Sequence, residues 1–176
     1  MKATRIDLKS VKINGLGIEA KYMQEGKELS VKCKEPIHPD LRDAFDKLKP
    51  YFVDICEMEE ADDINWKNLD EPETVAALGN YSISGLNMSG SDSAFCISIS
   101  GHRLLKSVKT LNINSPRMNI SNENTEYDSD RSQYLRDICQ QIAFETEAYI
   151  IDRKFAYTEQ ALPFKDDDTD PFEEKS

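Results

Sequence analysis

The sequence predicts an α+β fold made of two consecutive β-β-β-α units. In the first part of each half, apolar residues alternate with polar ones, which is typical of half-buried strands. In the second part they recur at spacings of three and four, which indicates an amphipathic helix. A proline, Pro36 in one half and Pro116 in the other, lies where the period changes. Two strand sets with two helices predict antiparallel sheet covered by the helices on one face.

The 176 residues are enough for one such domain followed by a tail. We expect a single domain over residues 1–158, with halves at residues 1–58 and 80–155 joined by an acidic linker at residues 59–79. Residues 159–176 are expected to form a flexible acidic tail. The free strand edges of the two sets can pair within one chain or across a homo-oligomer, and the sequence leaves both arrangements open.

The first half begins with three strands in "TRIDLKSVKI", "GIEAKYM" and "ELSVKCK". The alternation of apolar residues shifts by one position between Leu8 and Val11, which predicts a bulge near Ser10. Turns are expected at positions 14–15 and 26–27. "GLGIEA" also fits a dinucleotide-binding glycine pattern, but the residues after it alternate with period two, which favours a hairpin over a helix.

The helix of the first half is predicted in "HPDLRDAFDKLKPYFVDICEM". Pro39 suits its first turn, whereas Pro50 lies inside it and is expected to kink or break it. The acidic segment that follows contains Trp66, the only tryptophan.

The second half repeats the pattern. "NYSISGLNM" and "SAFCISIS" predict a hairpin with Gly90 in its turn, and a further turn is expected at residues 101–102. "LLKSVKTLNI" predicts a third strand with Leu111 and Ile113 facing inward. A long helix is expected from about residue 130 to 153, with Asp128 or Ser129 as its N-cap.

Charge is distributed unevenly along the chain, whose net charge is −11 from 33 acids and 22 bases. This sum disfavours nucleic-acid binding through bulk charge. The predicted strands are nevertheless basic, with a net charge of +4 over residues 1–34 and +3 over residues 81–120. Residues 57–73 hold eight acids and one lysine, a net charge of −7. The exposed sheet face is therefore predicted to carry six lysines, namely Lys9, Lys21, Lys32, Lys34, Lys106 and Lys109.

No motif for catalysis, a cofactor or a metal stands out. His38 and His102 are 64 positions apart, and no P-loop or nucleophile elbow is present. We therefore expect no catalytic residue, no metal site and no cofactor, and an enzyme that uses scattered carboxylates with a metal is kept as a third alternative. The four cysteines include no CxxC pair, and no apolar run is long enough to span a membrane. These features predict a cytoplasmic protein with reduced, buried thiols and no membrane partner.

The tail, "ALPFKDDDTDPFEEKS", combines carboxylates with two phenylalanines that each follow a proline. It resembles the acidic C-terminal tip of bacterial single-stranded-DNA-binding proteins, in which aspartates precede a Pro-Phe pair. That family's phenylalanine is normally the last residue, whereas four residues follow it here. The resemblance implies recruitment of a replication or repair protein through Phe164, Asp166, Asp167, Asp168, Asp170, Pro171 and Phe172.

The body, through "IHPDLRDAFDKLKPYF", is similar to small uncharacterised proteins of phages and prophages. Together these features predict a non-enzymatic accessory protein of phage or mobile-element DNA replication or recombination. Its basic sheet face would bind single-stranded nucleic acid, with Tyr22 or Tyr81 available for stacking only if they face outward, although their phase favours burial. The alternative is an acidic interaction protein, a DNA mimic or an inhibitor of a host defence complex, that binds no nucleic acid.

Overall fold

Seven antiparallel strands form one sheet in the computed structural model, which describes residues 4–156. The strands are β1 (Asp7–Asn14), β2 (Gly17–Gln24), β3 (Lys27–Cys33), β4 (Tyr81–Ser89), β5 (Cys96–Leu104), β6 (Thr110–Asn114) and β7 (Met118–Asn119). The α-helices are α1 (Pro39–Asp46), α2 (Lys49–Ile55), α3 (Pro72–Leu78) and α4 (Ser129–Ile151). The predicted α+β class is confirmed.

The two strand sets join at the centre of the sheet. The strand order is β3-β2-β1-β4-β5-β6, with β7 paired to β5, so each set is a meander and the first strands of the two sets are neighbours. The central β1–β4 pair places Ser10 opposite Asn87, Val11 opposite Leu86, and Lys12 opposite Gly85. The chain therefore makes a continuous sheet from two sets of short-range hairpins.

The predicted irregularities of the first three strands are present. The β1–β2 register shifts between Leu8 and Ser10, which confirms the bulge. Gly15 and Gly26 have φ values of 63° and 76°, so both predicted turns use the left-handed region that glycine adopts without strain. "GLGIEA" forms the β1–β2 hairpin, as the alternation predicted.

The helices cover one face of the sheet and create the core. Buried residues of this helix-covered face, including Val11, Ile18 and Ile99, share one cluster with Phe45 of α1 and Leu135 of α4. Burial of large apolar side chains in such a cluster is the main favourable contribution to folding.

Helix ends follow their sequence signals. Pro39 occupies the first turn of α1, where His38 Nδ1 accepts the Asp40 N–H at 3.1 Å. The helix ends at Asp46, and Pro50 lies in the first turn of the separate helix α2, so the predicted break occurs. The carboxylate of Asp128 caps α4, as predicted, by accepting two backbone N–H groups at 3.0 Å.

The turn predicted at residues 101–102 is wrong, because β5 continues through both residues to Leu104. A Cβ on Gly101 would lie 2.4 Å from the Ser82 carbonyl oxygen and 3.0 Å from the Phe52 ring. Glycine is needed here because α2 packs its phenylalanine directly on the strand, not because the chain turns.

Two further expectations need correction. Leu111 was predicted to face inward, but it is 48% exposed because β6 is the outermost strand of its side of the sheet. The acidic linker at residues 59–79 contains a 3-10 turn, Glu59–Asp63, and helix α3. All four cysteines are free thiols, but only Cys139 is buried, and its burial raises its pKa to about 12.

The packing at Gly101 gives a stability prediction. We expect Gly101→Ala to lower the free energy of unfolding by about 1–3 kcal/mol, because the new methyl group collides with Phe52 and the Ser82 backbone. Urea denaturation measures this change. The matched control is Gly79→Ala, where a Cβ comes no closer than 3.4 Å to its neighbours and should change stability by less than about 0.5 kcal/mol. Equal stabilities of the two variants would contradict the described contact.

Candidate functional site

The candidate site is the sheet face opposite the helices, which we call the open face. Cross-strand register aligns its side chains in two rows. One row runs through Lys32, Glu19, Lys12, Gly85, Ser100 and Asn114. The other runs through Ser30, Lys21, Ser10, Asn87 and Ser98. Most of these residues line a shallow concavity of about 630 Å³.

Alternation along each strand explains the composition of the open face. In β4, Ile83 and Leu86 are buried beneath the helices, whereas Asn87 is exposed, and the register shift between Ile83 and Gly85 keeps this division on both sides of the bulge. Short hydroxyl and amide side chains therefore collect on the open face. They can donate hydrogen bonds to an anionic or polar ligand without a large conformational entropy cost.

Three lysines give part of the open face its charge. Lys32 Nζ lies 2.8 Å from Glu19 Oε1, and Lys12 is opposite Glu19 in the β1–β2 register. Lys21 lies two residues further along β2, opposite Ser10. Within residues 4–156, neither Lys12 nor Lys21 forms an ion pair. The β1–β3 part of the concavity thus combines three cations with one carboxylate.

The carboxylate of Glu19 responds to these cations. Its hydrogen bond and charge interaction with Lys32 hold its pKa below the ordinary value, and Asn14 and Lys12 lower the pKa further. Asn14 Nδ2 donates to Glu19 Oε1 at 3.1 Å. Glu19 therefore stays ionised to lower pH and orients Lys32 across the strands.

The structure brings only some of the predicted lysines together. Lys21 and Lys32 lie on the open face. Lys9 lies at the β1 bulge, where its Nζ is 2.7 Å from Asp7. The other three, Lys34, Lys106 and Lys109, are exposed beyond the end of β3 and in the turn between β5 and β6.

Sequence reasoning missed Lys12, which the structure places at the centre of the lysine group. The signal was present, because Lys12 alternates with the apolar residues Val11 and Ile13 once the bulge has shifted the phase. Tyr22 and Tyr81 are buried on the helix-covered face, so neither can stack on a ligand at the open face. The predicted partner-binding residues, from Phe164 to Phe172, lie outside the described residues and stay a prediction.

Among residues 4–156, no group of three or more His, Cys, Asp or Glu side chains is arranged to hold a metal ion. None of the described helices has the length and apolar character needed to cross a bilayer. Comparison with protein-family models, with curated proteins and with solved structures finds no significant match to this chain.

The Glu19–Lys32 pair gives a direct electrostatic prediction. Because Lys32 depresses the pKa of Glu19, Lys32→Met should raise that pKa toward the ordinary value of about 4.3, as measured by NMR titration of the Glu19 carboxyl carbon. Any stability from the pair is present above the ordinary pKa and is lost as the pH falls through the depressed value. Lys9→Met is the control and should leave the Glu19 pKa unchanged. Identical titration curves for Lys32→Met and the unmodified protein would show that the pair does not form in solution.

Proposed function

We propose that this protein is a non-enzymatic accessory protein of phage or mobile-element DNA replication or recombination that binds single-stranded nucleic acid across its open face. The observation that supports the proposal is the grouping of Lys12, Lys21 and Lys32 among serine and asparagine side chains in one concavity. Lysine, serine and asparagine are common donors to phosphate oxygens. A single strand of nucleic acid is flexible and could follow such a shallow, curved surface.

The binding mode follows from the side chains that are available. Tyr22 and Tyr81 are buried and cannot stack on bases at the open face, so recognition would depend on the phosphate backbone. Such binding has low sequence selectivity and a strong salt dependence. The net charge of −11 repels DNA at long range, which we expect to keep the affinity weak.

The proposal assigns the predicted tail residues, Phe164 to Phe172, to recruitment of a replication or repair protein. Carboxylates on both sides of a phenylalanine favour a pocket with a basic rim on that partner. The presence of four free thiols in the structure fits the cytoplasmic setting that we assign to this function.

A second candidate function is an acidic interaction protein that mimics DNA or inhibits a host defence complex. One observation favours it: Asp62, Asp63, Glu71 and Glu73 line a single depression beside α3. Asp62, Asp63 and Glu73 are exposed, so their carboxylates are accessible to the cations of a partner. In this case the unmodified chain should show no saturable binding to an oligonucleotide by fluorescence polarisation, and reversing these three charges should abolish binding to the partner.

If the open face binds single-stranded nucleic acid, removing positive charge from that face alone should weaken the affinity for an oligonucleotide. Fluorescence polarisation with a labelled 20-nucleotide oligothymidine should show saturable binding at low salt by the full chain. We expect the triple variant Lys12→Ala, Lys21→Ala and Lys32→Ala to bind at least tenfold more weakly. Its plot of log affinity against log salt should be shallower by about 2, since each lost phosphate contact on a single strand removes about 0.7 from the slope.

The matched control removes three cations from the helical side, through Arg42→Ala, Lys47→Ala and Lys67→Ala, all exposed. It changes the net charge by the same amount and should leave the affinity within about twofold. An equal loss in both triple variants would mean that only net charge matters. Either that result or the lack of saturable binding by the unmodified chain would refute the proposal.

A further inference from the structure

A large apolar groove lies on the helical side of the protein, away from the open face. It has a volume of about 1030 Å³ and lies between α3 and α4, with residues of α1 and α2 completing its lining. Its apolar lining includes Tyr51 of α2, Leu69 before α3, Val75 of α3, and Tyr134 and Phe144 of α4. We call it the α3–α4 groove. Its size is that of a binding site rather than of a packing defect.

Three large apolar side chains of the groove are exposed to solvent. The exposed fraction is 55% for Val75, 63% for Tyr134 and 40% for Phe144. Single exposed apolar residues are common, but a contiguous group in a concave surface is typical of an interaction site. Tyr134 and Phe144 are ten residues apart on α4, so the groove extends over about 15 Å, or roughly three turns of a second helix.

The rim of the α3–α4 groove is acidic. It contains Asp43, Asp46, Asp70 and Asp137 against Lys47 and Lys49. Both lysines are already engaged, because Lys49 lies 3.7 Å from Asp46 and Lys47 donates to Gln141 at 2.9 Å. Within residues 4–156, Asp43, Asp70 and Asp137 form no ion pair. Three carboxylates around an apolar floor are therefore left to attract cations.

We propose that the α3–α4 groove docks a basic amphipathic helix of another protein. Apolar side chains at positions i, i+3, i+4 and i+7 of that helix would fill the floor between Val75, Tyr134 and Phe144. Lysines or arginines flanking this stripe would lie over Asp43, Asp70 and Asp137. The net charge of −11 would speed the encounter with a basic partner.

Charge disfavours the two other occupants that the chain itself offers. A second copy of the protein would bring the same acidic rim and another net charge of −11. Residues 157–176 contain seven acids and two lysines, so their carboxylates would approach those of the rim. A basic partner lowers the electrostatic energy of the groove, whereas both of these occupants raise it.

The test uses fluorescence polarisation with the full chain and three labelled 18-residue peptides. The first carries leucine at helical spacing with lysine between, the second has the same composition scrambled, and the third replaces lysine by glutamate. We expect the first peptide to bind at least tenfold more tightly than either of the others. Amide and methyl NMR shifts on titration should concentrate at Val75, Tyr134 and Phe144.

Substitutions locate the binding and test the charge of the rim. Tyr134→Ser with Phe144→Ser should weaken binding at least fivefold, and these exposed positions leave the core intact. The control, Leu111→Ser, removes an equally exposed apolar side chain at the edge of the sheet and should have no effect. Asp70→Asn with Asp137→Asn should weaken binding severalfold at low salt and less at high salt.

Four results would overturn the proposal. The first is that the scrambled or the glutamate peptide binds as tightly as the first peptide. The second is that Leu111→Ser weakens binding as much as Tyr134→Ser with Phe144→Ser. The other two concern other occupants of the groove. Sedimentation shows a dimer that Tyr134→Ser with Phe144→Ser dissociates, which would make the groove a self-interface. Nuclear Overhauser effects connect residues 157–176 to Phe144, which would place the chain's own end in the groove. None of these results depends on oligonucleotide binding at the open face.

Discussion

The pairing of β1 with β4 determines the architecture of this protein. Within each of the two meanders, every strand pairs with a strand close to it in the sequence. Three opposed residue pairs between β1 and β4 join the two meanders into one sheet. Because the period of side-chain direction is two, this register places the apolar residues of both meanders on the same face. The helices of both halves then cover that face, and the polar residues of both halves share the other.

The acidic segment between the halves is attached to this sheet by specific polar contacts. Glu60 accepts hydrogen bonds from the Tyr81 hydroxyl at 2.7 Å and from Arg103 at 2.6 Å. Burial and the contact with Glu60 raise the pKa of Tyr81, so the phenol keeps its proton and continues to donate. These bonds attach the 3-10 turn before α3 to the first residue of β4.

A second set of contacts connects α2, Trp66 of the same segment, and the N-terminal part of α4. Asp54 accepts hydrogen bonds from Tyr127 and Arg131, and the Arg131 guanidinium lies 4.1 Å from the centre of the Trp66 ring. A cation over a tryptophan face is attractive by about 0.5–2 kcal/mol. The contacts connect α2, Trp66 and α4, and the Trp66 ring also packs on Tyr51, which lines the α3–α4 groove, with ring centres 5.3 Å apart.

Features with a local physical cause could be predicted from the sequence. The bulge near Ser10, the break before Pro50 and the cap at Asp128 each depend on one or two residues and their immediate neighbours. Features that depend on distant packing could not. Gly101 resembles a turn residue in sequence, and only the approach of Phe52 shows why glycine stands within a strand.

The candidate site was predictable to a similar degree. Lys21 and Lys32 could be assigned to the open face from the alternation of apolar and polar residues. Lys12 could be assigned in the same way once the alternation is followed from Val11, after the bulge. The relation among the three lysines depends on cross-strand register, which one sequence does not specify. The groove could not be predicted, because its lining comes from all four α-helices, and α3 lies within residues interpreted as a linker.

A single sheet requires that β1 and β4 of one chain are neighbours. Isotope-filtered NMR on a sample that mixes labelled and unlabelled protein tests it most directly. We expect backbone nuclear Overhauser effects between Val11 and Leu86, and between Ser10 and Asn87, within the same molecule. Their absence, or their appearance only between labelled and unlabelled molecules, would contradict the single sheet on which both proposed surfaces depend.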